Sequence, residues 1–268
     1  MSYNFNILAS EDPLSHVVQH DLMVFNIAGH EIHFTNHMLM VLVAFILLLG
    51  IIPVMRKRGG MIPSGLANFI EAICVFLRDE VAKPALHEDT DRFIKYIWTV
   101  FFFVLTLNLM GMVPTASIIY FLSGKHLKDM GGTATANIWV TGTLALCSFL
   151  MIHIAGIMHQ GPVSYFKNFV PAVPKALIPF MYVLELAGSI IKPFALAVRL
   201  FANMLAGHTV IGALIVIGMA SQSYIISSLT LAGCVALSLI DLFVSFLQAY
   251  IFTFLTVLFI SSAVHPEH

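Results

Sequence analysis

Met219-Ala220-Ser221-Gln222-Ser223-Tyr224-Ile225 carries the only polar break between two apolar runs, residues 176–220 and 225–264. Each run is about forty residues long, where about twenty span an upright bilayer. Each must therefore be steeply tilted, bent, or continued beyond the lipid. The break at 221–224 reads as a tight outward-facing turn, so the runs fold back on one another as a long antiparallel helical hairpin. Folding about that turn brings Asp241 level with His208 and Gln248 level with Arg199.

The rest of the chain agrees with a membrane setting. It is 59% hydrophobic and 10% charged, with mean hydropathy +0.92, whereas soluble domains carry about 25% charged residues. The formal net charge of −1 leaves no basic stripe for phosphates, which argues against a nucleic-acid partner. Cys74, Cys147 and Cys234 form no CxxC pair and read as packing residues. No GxxxxGK[ST] loop is present, and Gly59-Gly60 and Gly131-Gly132 do not make one, so no nucleotide or other cofactor is expected. His16, His20, His30, His33 and His37 have no spacing that closes a metal site.

Five crossings and one interfacial helix follow. Residues 1–37 make an external segment without the apolar core of a signal peptide, so the first helix is expected to direct insertion. The run 38–54 is followed at once by Arg56-Lys57-Arg58, a cytoplasmic signal that places the N-terminus outside. Residues 64–83 mix Leu66, Phe69, Ile70 and Ile73 with Glu71, Arg78, Asp79 and Glu80, the pattern of an amphipathic helix lying at the interface. Residues 96–113 cross outward and 138–158 return inward; between them Gly124, Gly131 and Gly132 mark an external loop. Pro162, Pro171 and Pro174 with Lys167 and Lys175 mark a cytoplasmic loop before the hairpin. The fold class expected is an all-α polytopic membrane protein, a single membrane domain with its C-terminus in the cytoplasm.

Inside the hairpin stand Glu185, Lys192, Arg199, Asn203, His208, Asp241 and Gln248, although ionisable groups in lipid are costly and mark pathways. A central arginine alone costs about 2.5–3.5 kcal/mol on insertion scales. Glu185, Lys192 and Arg199 recur every seven residues, with Asn203 one turn on, while His208 falls near the opposite side of the helix. A carboxylate and an imidazole at one depth suit proton transfer, since each tunes the other. Gln248 can hydrogen-bond a guanidinium without cancelling its charge. Lys192 can instead snorkel toward the interface, and Pro193, Gly207 and Gly212 serve shape.

Leu184-Glu185, Lys192-Pro193 and Arg199-Leu200-Phe201-Ala202-Asn203-Met204-Leu205-Ala206-Gly207-His208, with Leu247-Gln248-Ala249-Tyr250-Ile251-Phe252, resemble subunit a of F-type ATP synthases. Asn108-Leu109-Met110-Gly111-Met112-Val113-Pro114, Thr135-Ala136-Asn137 and Tyr165-Phe166-Lys167-Asn168-Phe169 extend the likeness over nearly the whole chain, residues 115–133 least. The resemblance implies a stator whose tilted hairpin lies against a rotating ring of c subunits, each bringing one carboxylate. Arg199 would face that ring and keep two aqueous half-channels apart. Asn203, His208, Asp241 and Gln248 would line or border the external half-channel, and Glu185 would belong to the cytoplasmic side. Enterobacterial members hold the acid at the position of His208 and the His at that of Asp241; the exchange here is similar to mitochondrial-type members, which use Glu there.

The function expected is proton translocation coupled to c-ring rotation and ATP synthesis, with catalysis left to other subunits. The c-ring, subunit b and the remaining subunits would be its partners, and a bacterial inner membrane its location, since no transit peptide opens the chain. A proton-coupled transporter of an anionic substrate is the alternative, but the sequence has no repeated half of the kind such proteins use.

Overall fold

The computed structural model describes residues 21–27, 30–57, 65–113, 132–169, 174, 177–221 and 223–264. His16, His20, Arg58, Gly124, Gly131 and Gln222 lie outside the described residues. The described residues are mainly helical, with one two-stranded hairpin, so the chain is an all-α polytopic membrane protein with a small β appendage. Among the described residues, four helical stretches can cross a membrane by length and composition: Ala67–Met112, Ile138–Gln160, Ile178–Ala220 and Tyr224–Val264.

The hairpin pairs β1 (Asp21–Ile27) with β2 (His30–Thr35), placing Val24 opposite His33 and Asn26 opposite Glu31. The chain then enters α1 (Asn36–Lys57). Thr35 caps it, its Oγ1 accepting from the Met38 amide at 3.4 Å. At 22 residues α1 is about 33 Å long, although its apolar part, Asn36–Ile51, is shorter than the four stretches above.

The interfacial helix expected at 64–83 is instead a composite. It comprises α2 (Leu66–Phe76), a π turn (Leu77–Ala82) and α3 (Lys83–Leu86). Pro84 accounts for the loosened turn, because it has no amide to give the Glu80 carbonyl. His87, at φ 48°, ends α3, and α4 (Thr90–Met112) starts before residue 96, the expected boundary. It stops short of Pro114, as a residue preceding proline disfavours the helical conformation. Then come α5 (Ile138–Gln160), α6 (Pro162–Lys167), α7 (Ile178–Ala220) and α8 (Tyr224–Val264). At 43 and 41 residues, α7 and α8 are each over 60 Å long at about 1.5 Å per residue.

Two compact units divide the chain. In the first (Met1–Phe45, Thr106–Val140, Leu200–Phe246) the turn-proximal halves of α7 and α8 are pinned by small residues. A Cβ at Gly218 would overlap Thr230 Oγ1, and one at Gly233 would stand 3.4 Å from Leu214 Cδ1. Ser227 Oγ donates to the Gly218 carbonyl at 2.9 Å. These pairs sit symmetrically about the turn. In the second unit (Ile46–Leu105, Thr141–Arg199, Leu247–His268) Leu77, Leu86, Ile97, Leu196, Phe252 and Ile260 are buried. Trp98 Nε1 donates to the Cys74 carbonyl at 3.0 Å, Ser261 Oγ to that of Ala85 at 2.7 Å, and Gln160 Nε2 to that of Ala263 at 2.7 Å. Polar side chains thus tie helices together where apolar packing alone gains little in lipid.

Candidate functional site

The seven polar residues of the hairpin divide between the units, the boundary falling between Arg199 and Leu200 on α7 and between Phe246 and Leu247 on α8. The first unit holds Asn203, His208 and Asp241, all half-buried. Asp241 lies against Gly207: a Cβ there would stand 2.5 Å from Oδ2 and 3.0 Å from Cγ. Glycine at 207 is therefore what admits the carboxylate beside the residue that precedes His208. Asn203 sits one turn before Gly207 on the same helix.

His208 Nε2 lies 3.0 Å from Thr133 Oγ1, and that hydroxyl lies 3.2 Å from the Gly111 carbonyl, which can only accept. Thr133 has one proton to give. Donated to Gly111, that proton leaves the hydroxyl oxygen to accept from His208 Nε2–H; donated to His208, it finds Nε2 as the acceptor. Gly111 makes this possible, since a Cβ there would stand 2.7 Å from Thr133 Cγ2. Nearby in the unit Asn108 is fully buried, its Nδ2 3.5 Å from the Ser245 carbonyl. Among the described residues Asn108 Oδ1 and Thr135 Oγ1 are buried without a protein partner, a costly condition in a dry interior. Hydroxyl, imidazole, amide and carboxylate thus share one unit of an apolar chain, chemistry able to hand on protons. Sequence reasoning missed Thr133 because a single threonine at a loop end has no periodicity to betray it.

The second unit holds Glu185, Lys192, Arg199 and Gln248. Lys192 Nζ stands 4.0 Å from Glu185 Oε1, two turns earlier on α7, and 5.1 Å from the Phe259 ring centroid. The Lys192 ammonium thus lies between a carboxylate and an aromatic face. With both side chains over a third exposed, the pair is worth under about 1 kcal/mol in water.

Arg199 is exposed on α7, and no carboxylate of the described residues lies within 4.0 Å of it. Ala195, Ala202 and Ala206 are exposed too, and recur with Arg199 at helical spacing. Gln248 is 3% exposed, with Nε2 unpartnered among the described residues. The hydrogen bond that equal depth made possible between Gln248 and Arg199 is not formed, because one side chain is buried on α8 and the other is exposed on α7.

A cavity of about 110 Å³ adjoins Glu185 and Lys192 and is also lined by His153, Gln160, Tyr165 and Asn168. Tyr165 and Asn168 belong to the loop stretch that carries the resemblance, whereas His153 and Gln160 were not singled out in the sequence. His153 within an apolar helix was the available signal.

The chain matches the family model described as ATP synthase A chain over residues 37–261. It is 41% identical over 239 residues to ATP synthase subunit a of Anaeromyxobacter sp., covering 87% of this chain and 55% of the relative. To ATP synthase subunit a 2 of Chlorobaculum tepidum it is 37% identical over 243 residues, 88% of this chain and 65% of the relative. Against ATP synthase subunit a of Myxococcus xanthus the identity is 36% over 246 residues, 89% and 75%. The chain thus spans between half and two thirds of the length of the first two.

Proposed function

This chain belongs to the ATP synthase A chain family, and from that premise we propose that it is the proton-conducting stator subunit of an F-type ATP synthase. The observation that carries the reading is Arg199: a permanent cation, exposed on a long apolar helix, with no carboxylate of the described residues within ion-pair distance. Its counter-charge then comes from another chain. A ring of c subunits supplies one, as each deprotonated carboxylate reaches Arg199, is held, and moves on to be reprotonated. Exposed alanines at 195, 202 and 206 let a neighbouring helix approach closely.

His208, Asp241, Asn203 and Thr133 would then serve the external half-channel, and Glu185 and Lys192 the cytoplasmic one. Gln248, buried on α8, would border the first. The transported ion is H⁺ rather than Na⁺, since imidazole and carboxylate exchange protons readily. Nothing in this role requires catalysis or a cofactor in this chain. Subunit b and the remaining subunits hold it still while the ring turns, and no nucleic acid takes part. We place it in the inner membrane of a bacterium, α1 making a fifth crossing, the N-terminus outside and the C-terminus in the cytoplasm.

The test is Arg199→Gln or Arg199→Ala in the whole complex in membrane vesicles. Proton-driven ATP synthesis should vanish while the complex still assembles. Coupled synthesis at the wild-type rate in either variant would refute the reading.

A further inference from the structure

The cavity beside Glu185 contains an arrangement that the Glu185–Lys192 pair does not require. Tyr165 on α6 is 5% exposed, and its hydroxyl lies 2.6 Å from His153 Nδ1 on α5, a short contact for nitrogen and oxygen. The docking is built for that ring. A Cβ at Gly156 would overlap Tyr165 Cε2 and stand 2.9 Å from Cδ2, so only glycine at 156 lets the phenol lie on α5. Gly161, at φ 80°, turns the chain into α6, a conformation other residues adopt at a cost.

The imidazole is fixed as tightly. Phe149 stands edge-on to it with ring centroids 4.2 Å apart, and Phe169 flanks both His153 at 6.4 Å and Tyr165 at 5.9 Å. One hydrogen bond and three aromatic neighbours leave the ring one orientation, with Nδ1 committed to the phenol and Nε2 the nitrogen available for exchange. Burial and the Glu185 carboxylate push the Tyr165 phenol up, so it stays neutral and can accept from Nδ1–H. The cavity of about 110 Å³ has room for several waters, with Gln160, Asn168 and Glu185 as polar lining.

We infer that His153 is a proton carrier of this half-channel, exchanging H⁺ with Glu185 through cavity water, and that Tyr165 is its positioning residue. The step balances. A proton released at Glu185 forms the Nε2–H bond of an imidazolium whose Nδ1–H is held by the phenol oxygen; that Nε2–H bond then breaks toward water on the loop side, returning the neutral ring. In the reverse direction the same atoms act in the opposite order. This rests on the stator reading above, and extends it to two residues outside the hairpin's polar set.

The experiment uses vesicles carrying the whole complex, with passive proton conduction read after removal of the soluble head and ATP-driven pumping read before it. His153→Phe keeps a ring among Phe149, Tyr165 and Phe169 but carries no proton; conduction should fall about tenfold, less than a full loss of positioned proton transfer because cavity water remains. Tyr165→Phe should fall a few-fold. Added imidazole should restore conduction to His153→Ala, which a purely structural role for His153 does not allow. Arg199→Gln is run in parallel. His153→Phe within twofold of wild type, or no rescue of an assembled His153→Ala, overturns the carrier while an uncoupled Arg199→Gln leaves the stator reading standing; a coupled Arg199→Gln overturns the stator reading and the carrier with it.

Discussion

Replacing Gly207 by alanine places one methyl group where the Asp241 carboxylate lies. The added Cβ would stand 2.5 Å from Oδ2, 3.0 Å from Cγ and 3.2 Å from Oδ1, where ordinary contact begins at 3.4 Å. All three atoms must retreat, Oδ2 by about 1 Å; if the surroundings hold them, the overlap costs about 1–3 kcal/mol. Alanine is itself the better helix former by up to about 1 kcal/mol, so any loss has to come from the carboxylate rather than from α7. A misplacement of about 1 Å at a reacting group costs up to about a hundredfold in rate. Gly207→Ala should therefore lower proton pumping ten- to a hundredfold while the complex assembles and its soluble head still hydrolyses ATP. The assay is ATP-driven acidification of inverted vesicles, normalised to the amount of this chain present. Gly142→Ala is the control, since a Cβ there meets nothing within 4 Å. Wild-type pumping by Gly207→Ala, or an equal loss in Gly142→Ala, would refute the reasoning.

The remaining expectations concern the same group. His208→Ala and Asp241→Ala should each slow proton flux more than the exchange His208→Asp with Asp241→His, measured in the same vesicles; an exchange no better than the worse single variant counts against a paired relay. Thr133→Val removes the hydroxyl 3.0 Å from His208 Nε2, a cost of about 1–3 kcal/mol for a lost buried hydrogen bond, and should slow flux several-fold, whereas Thr133→Ser should conduct normally. Equal behaviour of the valine and serine variants would remove Thr133 from the path.

The hairpin was legible because one polar break in two very long apolar runs leaves little choice of connection, and its register was legible because a tight turn makes positions mirror one another. Gly207 against Asp241 and Gly218 against Thr230 are that mirror in atoms. What depends on which way a side chain points was not legible: equal depth suggested a bond between Arg199 and Gln248, and orientation denies it. The β-hairpin was only half legible, for Glu31-Ile32-His33-Phe34-Thr35 alternates polar with apolar whereas Leu22-Met23-Val24-Phe25 is an unbroken apolar run, which periodicity alone does not assign to a strand. The π turn and early start of α4 follow from Pro84 and His87, single residues whose effect on a helix depends on what the neighbouring turns can give up.

The mirror-image pinning of α7 and α8 near their turn separates two kinds of movement. If the hairpin tilts, or sinks by a few ångströms as a lipid environment thickens, His208 and Asp241 travel together, because both are gauged from the same turn and not from the membrane surface. Only sliding of one helix along the other would part them, and the close fits at Gly207 and Gly218 resist that shear. The acid and the imidazole are in this sense insulated from movements of the hairpin as a whole.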